Sequence, residues 1–84
     1  MSHYITSATR YNIAQLTLAY IDRYEGGEPP RGQIVTFLVK NGYPPTTAST
    51  TLDVLVKDGV IDVHFDGKTN MLIISRASGG GEHV

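Results

Sequence analysis

The sequence predicts a mainly helical α+β fold, in which three helices are followed by a β-hairpin. Three observations predict it. Residues 46–58 carry apolar side chains at helical spacing, and Gly59 follows them. Two runs typical of β-strands come next, Val60–Phe65 and Met71–Ile74. The segment that joins these runs begins with Asp66-Gly67, a dipeptide typical of turns.

Length and composition fit one small domain. The chain has 84 residues, of which 40% are hydrophobic and 18% are charged, so we expect a folded domain with a single core. It has no cysteine, which favours a reducing, cytoplasmic location. No apolar run approaches the roughly 18 residues of a membrane span, so we expect no membrane partner. We divide the chain into an N-terminal arm (residues 1–7), a domain (residues 8–76) and a disordered tail (residues 77–84).

The first helix is predicted from Ala8 to Glu25, with Ser7 or Thr9 as its cap and Gly26-Gly27 as its end. Two neighbouring apolar stripes follow its spacing: Ile13, Leu16, Tyr20 and Tyr24 on one, and Ala14, Leu18 and Ile21 on the other. A helix that is apolar on two faces needs two covers, and either the N-terminal segment or a second protomer supplies the second. For a homodimer, we expect the interface to contain Tyr11, Leu18 and Ile21.

The second helix is predicted from Arg31 to Asn41, after a proline-containing connector. Its inward side chains are Ile34, Val35, Phe37 and Leu38. Thr46 or Thr47 is expected to cap the third helix. The inward side chains of the third helix are Ala48, Leu52, Leu55 and Val56. The centre of its outward side carries the polar residues Thr46, Thr50, Asp53 and Lys57, and the flanks carry Thr47, Thr51 and Val54.

The first hairpin strand alternates between apolar and polar residues. Ile61, Val63 and Phe65 alternate with Asp62 and His64, a pattern typical of a half-buried strand. The returning strand is apolar without alternation, so the sequence leaves the register of the hairpin open.

Residues 42–75 resemble the C-terminal half of the winged helix-turn-helix family, many of whose members are bacterial and archaeal transcription regulators. The matching residues are Gly42, Ala48, Leu52, Leu55, Gly59, Val60-Ile61 and Asp66-Gly67-Lys68. With the two helices before them, the resemblance covers about residues 8–76. It implies a winged helix-turn-helix fold and binding to double-stranded DNA by a homodimeric transcription regulator.

The resemblance also implies which residues meet the DNA. The third helix would face the major groove, the hairpin turn would reach the neighbouring backbone or minor groove, and the start of helix 2 would meet a phosphate. The implied DNA-binding residues are Arg31, Thr46, Thr47, Thr50, Thr51, Lys57, Lys68 and Thr69. Hydroxyl groups can donate to phosphates or to base edges, and threonine methyl groups pack on thymine methyl groups.

The charge balance favours an alternative. The net charge is −1 and the pI is near 6.2, whereas proteins that bind phosphates usually carry a basic surface. The alternative is a winged-helix module for protein–protein interaction, as an assembly subunit or an inhibitor of a host protein. The threonines would then be a solvated helix face, and Lys68 would be a polar turn residue.

The sequence does not predict an enzyme, a metal site or a cofactor. It has no arrangement of serine, histidine and aspartate, no carboxylate pair and no glycine loop in the context that binds phosphate. His3, His64 and His83 are scattered and match no metal-ligand spacing, so we interpret them as structural or surface residues.

Overall fold

The computed structural model describes residues 5–77. Over these residues the elements are α1 (Ser7–Arg23), a 3-10 turn (Glu25–Gly27), α2 (Arg31–Lys40), α3 (Pro45–Lys57), β1 (Ile61–Asp66) and β2 (Met71–Arg76). Three helices followed by an antiparallel hairpin confirm the predicted fold class, and this order is compatible with a winged-helix layout. Most of the predicted arm and tail lies outside the described residues.

The predicted caps are wrong for two helices. Thr6 caps α1, because its hydroxyl oxygen accepts a hydrogen bond from the Thr9 amide at 3.1 Å. The third helix begins at Pro45, before the threonines that were expected to cap it, and it has no side-chain cap. Proline suits this first position because its ring fixes a helical φ and it lacks an amide hydrogen that would be unpaired there.

The buried face of α1 differs from both predicted stripes. Its buried side chains are Ile13, Thr17 and Ile21, which are spaced by one helical turn. The same chain covers this helix on several sides, since α1 contacts α2, α3 and β2. Ile21 is only 2% exposed within one protomer, so its predicted place at a dimer interface is wrong. Tyr11 is exposed, and Leu18 is half-buried.

The residues at the centre of the predicted inward faces of α2 and α3 are buried, as predicted. The core consists of aliphatic side chains from every helix and both strands: Ile13, Ile21, Ile34, Leu38, Ala48, Leu52, Leu55, Ile61 and Ile74. Val35, Phe37 and Val56 pack around this core and are half-buried. Gly42 and Gly59 have φ values of 100° and 79°, and they end α2 and α3 in the left-handed region that glycine tolerates.

The hairpin has a defined register. Val63 lies opposite Ile74, and Phe65 lies opposite Leu72. On the other edge of β2, the Ile74 amide donates to the Pro29 carbonyl at 2.9 Å, and Pro30 forms a bridge with Ile73. The connector before α2 therefore pairs with β2 through one isolated bridge, on the side of β2 opposite β1. This position explains why β2 lacks alternation, because Ile73 and Ile74 are both buried.

The prediction that β1 is half-buried along its length is wrong. Ile61 is fully buried, but Val63 is 37% exposed and Phe65 is 61% exposed. On this face, the exposed fraction therefore increases from the base of the hairpin toward its turn. The exposed apolar side chains of the hairpin therefore form a surface rather than part of the core.

Candidate nucleic-acid interface

The outward side of α3 presents the predicted polar residues. Thr46 and Lys57 are exposed, and Thr47 and Thr50 are half-buried. Helical periodicity produces this arrangement, because these positions lie across the helix from the buried Ala48, Leu52 and Leu55. Hydroxyl groups and one ammonium group are therefore available along one side of the helix.

Thr51 does not belong to this surface. Its side chain is fully buried, so the expectation that it contacts DNA is wrong. It follows Ala48 by three positions and precedes Leu55 by four, which gives it the core-facing side of the helix. Its hydroxyl has no hydrogen-bond partner among the described residues, and the same is true of Thr17 on α1.

Arg31 is bonded inside the molecule. Its Nη2 donates to the backbone oxygen of Ser49 at 3.2 Å, to the Ser49 hydroxyl at 2.8 Å and to an Asp53 carboxylate oxygen at 3.3 Å. The Arg31 side chain is 23% exposed, whereas that of Asp53 is 74% exposed. Arg31 therefore holds the start of α2 against the middle of α3, and it provides the counter-charge for Asp53. No local pattern indicates Ser49 as a partner of Arg31, because the two residues are 18 positions apart in the chain.

An ordered turn carries the hairpin residues of the predicted site. The Thr69 hydroxyl donates to Asp66 at 2.6 Å, and the Lys68 amide donates to the same carboxyl group at 3.4 Å. These bonds, the Thr69 bond first, lower the pKa of Asp66 from its ordinary value. Because Thr69 uses its proton in this bond, the exposed Lys68 side chain is the cation that the turn offers to a ligand.

A groove connects the start of α2 with the hairpin. It has a volume of about 440 Å³ and is lined by Pro30, Arg31, Gly32, Gln33, Met71 and Leu72. Arg31 contacts both α3, through Asp53, and this groove. The outward side of α3, the start of α2 and the strand β2 are therefore neighbours on the surface.

The charges near this surface are modest. Within residues 5–77, two ion pairs cancel two cations and two anions: Arg31 with Asp53, and Arg76 with Asp22. The other basic side chains of these residues are Arg10, Arg23, Lys40, Lys57 and Lys68. Only the last two lie on α3 or on the hairpin turn. Electrostatic attraction to a polyanion at this site would depend on these two lysines.

Residues 5–77 contain no group of three or more side chains arranged to hold a metal ion. His64 is exposed on β1, and His3 and His83 lie outside the described residues. No helix in the same range has the length and apolar character needed to cross a bilayer.

Family models, curated proteins and solved structures were compared with the chain, and none matched it. The winged helix-turn-helix resemblance stays a prediction, with which the observed order of elements is compatible.

Proposed function

We propose that this chain is a small DNA-binding protein of the winged-helix type, which inserts α3 into the major groove and sets its hairpin turn against the neighbouring backbone. The position of Arg31 supports the proposal most. Arg31 bonds Asp53 on α3 and lines the groove beside Met71 and Leu72. The proposed reading helix and the proposed wing therefore adjoin one another, as simultaneous contact with one duplex requires.

The chemistry of α3 suits contacts with a phosphate backbone and with bases. The helix has no side-chain cap, so the Thr46 and Thr47 amides of its first turn are available to a phosphate oxygen. The Thr46 and Thr50 hydroxyls can donate to phosphates or base edges, and their methyl groups can pack on thymine. Asp53 would repel a polyanion, but Arg31 offsets its charge.

The small number of free cations predicts weak, salt-sensitive binding. If Lys57 and Lys68 each contact one phosphate, the logarithm of the binding constant falls against the logarithm of the salt concentration with a slope of about −2 per protomer. Without arginine, asparagine or glutamine on the outward side of α3, the protein would depend more on DNA shape than on direct base contacts. Bound at a promoter, it would act by occupancy, as a transcription regulator that excludes polymerase.

Fluorescence anisotropy with a labelled mixed-sequence duplex tests the proposal. We expect binding at low salt, and we expect Lys68→Ala to weaken it and to reduce the salt slope by about 1. Thr50→Ala should weaken binding while leaving the melting temperature nearly unchanged. Lys40→Ala is the matched control, because Lys40 is an exposed lysine at the end of α2. No binding at low salt, a slope near zero, or equal effects of the two lysine variants would contradict the proposal.

The exposed apolar side chains of the hairpin favour a second candidate function, protein–protein interaction without DNA. Phe65 and Leu72 are 61% and 46% exposed and lie opposite each other on one face of the hairpin. Under this alternative, a protein partner would be retained after nuclease treatment and by Lys68→Ala but released by Phe65→Asp. Loss of the partner on nuclease treatment would contradict it.

A further inference from the structure

A hollow lies between α1 and α2, and none of the proposed DNA-binding residues lines it. Its volume is about 340 Å³, which is in the range of sites that hold small molecules. Tyr20 of α1 lines this α1–α2 hollow together with residues of α2: Gly32, Gln33, Thr36, Phe37 and Lys40. The last four of these are spaced by three, one and three positions, so helical periodicity places them on one side of α2.

Two aromatic rings form an angled wall of the α1–α2 hollow. The ring centroids of Tyr20 and Phe37 lie 4.9 Å apart, and the ring planes make an angle of 47°. Both side chains are half-buried, so packing holds the rings in place while each contributes surface to the hollow. A flat aromatic group can stack on one such ring and meet the second ring at its edge. The wall therefore favours a ligand with a planar aromatic part.

Internal hydrogen bonds decide which polar groups the α1–α2 hollow offers to a ligand. The Tyr20 hydroxyl donates to Gln33 Oε1 at 3.1 Å. Within residues 5–77, this leaves the Gln33 amino group free to donate, and Oε1 keeps a second lone pair. The Thr36 hydroxyl donates to the Gly32 carbonyl at 3.0 Å, so its oxygen is left as an acceptor. A donor beside an acceptor at Gln33 matches the edge of adenine, the base that glutamine binds through two hydrogen bonds.

Lys40 gives the α1–α2 hollow a positive charge. It is exposed, it belongs to neither ion pair of residues 5–77, and none of the residues that line the hollow is acidic. A lysine at a helix end often bonds the last carbonyl groups, but the amides of Asn41, Gly42 and Tyr43 already donate to those of α2. A lysine ammonium is a compact charge that suits phosphate, whereas the planar group of arginine matches carboxylates. Lys40 is therefore available to a phosphate.

We propose that the α1–α2 hollow binds a nucleoside monophosphate, with adenine as its base. The base packs against the Tyr20 and Phe37 rings and meets Gln33 with its donor–acceptor edge. The phosphate meets Lys40, and the Thr36 oxygen accepts a hydrogen bond from a ribose hydroxyl. Gln33 and Lys40 are about 10 Å apart along α2, and Thr36 lies between them. The binding groups of α2 therefore follow the order of the ligand: base, ribose and phosphate.

Gly32 supports the proposal because the fold alone does not require glycine there. A Cβ atom at this position would have no neighbour within 4 Å, and glycine weakens a helix relative to other residues. The missing side chain keeps the α1–α2 hollow open beside Gln33 and Thr36. A ligand that approaches the helix backbone explains this glycine.

Isothermal titration calorimetry of the full chain with adenosine monophosphate tests the site without DNA, so it can succeed or fail independently of the proposed DNA binding. Adenosine, which lacks the phosphate, should bind about tenfold more weakly. Lys40→Gln should raise the dissociation constant of the monophosphate about tenfold and leave that of adenosine unchanged, because only the phosphate meets Lys40.

Arg10→Gln is the matched control for Lys40→Gln. It removes one exposed positive charge about 15 Å along α1 from Tyr20, and it should change neither dissociation constant. No binding of the monophosphate, equal effects of the two variants, or equal affinities for the monophosphate and adenosine would overturn the proposal.

Gly32→Leu separates loss of the α1–α2 hollow from loss of the fold. Leucine favours a helix over glycine, so the melting temperature should not fall, whereas its side chain should fill the hollow and abolish binding. Amide chemical shifts of the unaltered chain with the monophosphate should change most at Gln33, Thr36 and Phe37. Unchanged binding by Gly32→Leu, shift changes centred on α3, or tighter binding of an oligothymidylate or of inorganic phosphate at the same residues would overturn the proposal.

Discussion

The helix α3 and the strand β1 both alternate apolar and polar residues at their own period, but their apolar residues have different fates. In α3, Ala48, Leu52 and Leu55 are at most 2% exposed. In β1, exposure rises from Ile61, which is fully buried, to Phe65, which is 61% exposed. The helix lies against α1, α2 and β1, whereas β1 contacts chiefly its hairpin partner β2. Periodicity therefore predicts which side chains share a face, and the neighbouring elements decide whether that face is buried.

The largest expected effect tests the buried side of this comparison. Leu52→Ala should lower the free energy of unfolding by roughly 2–5 kcal/mol, because it removes buried atoms and leaves a cavity in the core. Urea denaturation of the two chains measures the difference. A loss below about 1 kcal/mol would mean that α3 does not pack as described.

The next largest effect is expected at a buried hydroxyl group on α3, and it is a gain in stability. Thr51→Val should raise the free energy of unfolding by about 1 kcal/mol, because the Thr51 hydroxyl is fully buried and has no partner among the described residues. Thr50→Val is the control, since Thr50 is its half-buried neighbour on the same helix and should change stability little. Destabilisation by Thr51→Val would indicate a hydrogen-bond partner for the hydroxyl in solution.

Substitution of an exposed apolar side chain of β1 should change stability less. Phe65→Ala should change the free energy of unfolding by only about 0.5 kcal/mol in dilute solution, because the ring is mostly exposed within one protomer. A loss as large as that of Leu52→Ala would place Phe65 in the core of the chain.

The smallest effect concerns the pair that joins the end of β2 to α1. Arg76 donates to both carboxylate oxygens of Asp22, at 2.8 Å and 2.7 Å. This hydrogen bonding lowers the pKa of Asp22. The pair therefore stabilises the fold above the ordinary pKa of aspartate, and its contribution is lost as the pH falls through the lowered pKa.

Thermal melts across pH measure this contribution. Asp22→Asn should lower the melting temperature slightly at neutral pH, because both side chains are about half exposed and water screens the pair. The difference from the unaltered chain should disappear in strong acid. A difference that is independent of pH would show that the ionised pair is not its cause.

The sequence predicted the features that depend on local spacing. The inward centres of α2 and α3 follow from helical periodicity, and Gly42 and Gly59 mark the helix ends because only glycine adopts their backbone angles readily. The exposure of Lys57 and Lys68 follows from the same spacing and from the turn dipeptide. These features need no knowledge of distant contacts.

The features that the sequence analysis did not predict depend on tertiary contacts or on residue type. The pairing of Pro29 with Ile74 and the bonds from Arg31 to Ser49 join distant parts of the chain, and no local pattern encodes them. Thr51 is a different case, because its position between Ala48 and Leu55 already indicated the core side. Its hydroxyl led to the prediction of an outward residue, although threonine is small enough to be buried.

Amide chemical shifts of the full chain, recorded by NMR with and without a short DNA duplex at low salt, test the proposed DNA interface most directly. The proposal predicts the largest changes at Thr46 and Thr47 in the first turn of α3, with further changes at Lys57 and Lys68. Unchanged spectra, or changes centred on α1 near Tyr11, would contradict it.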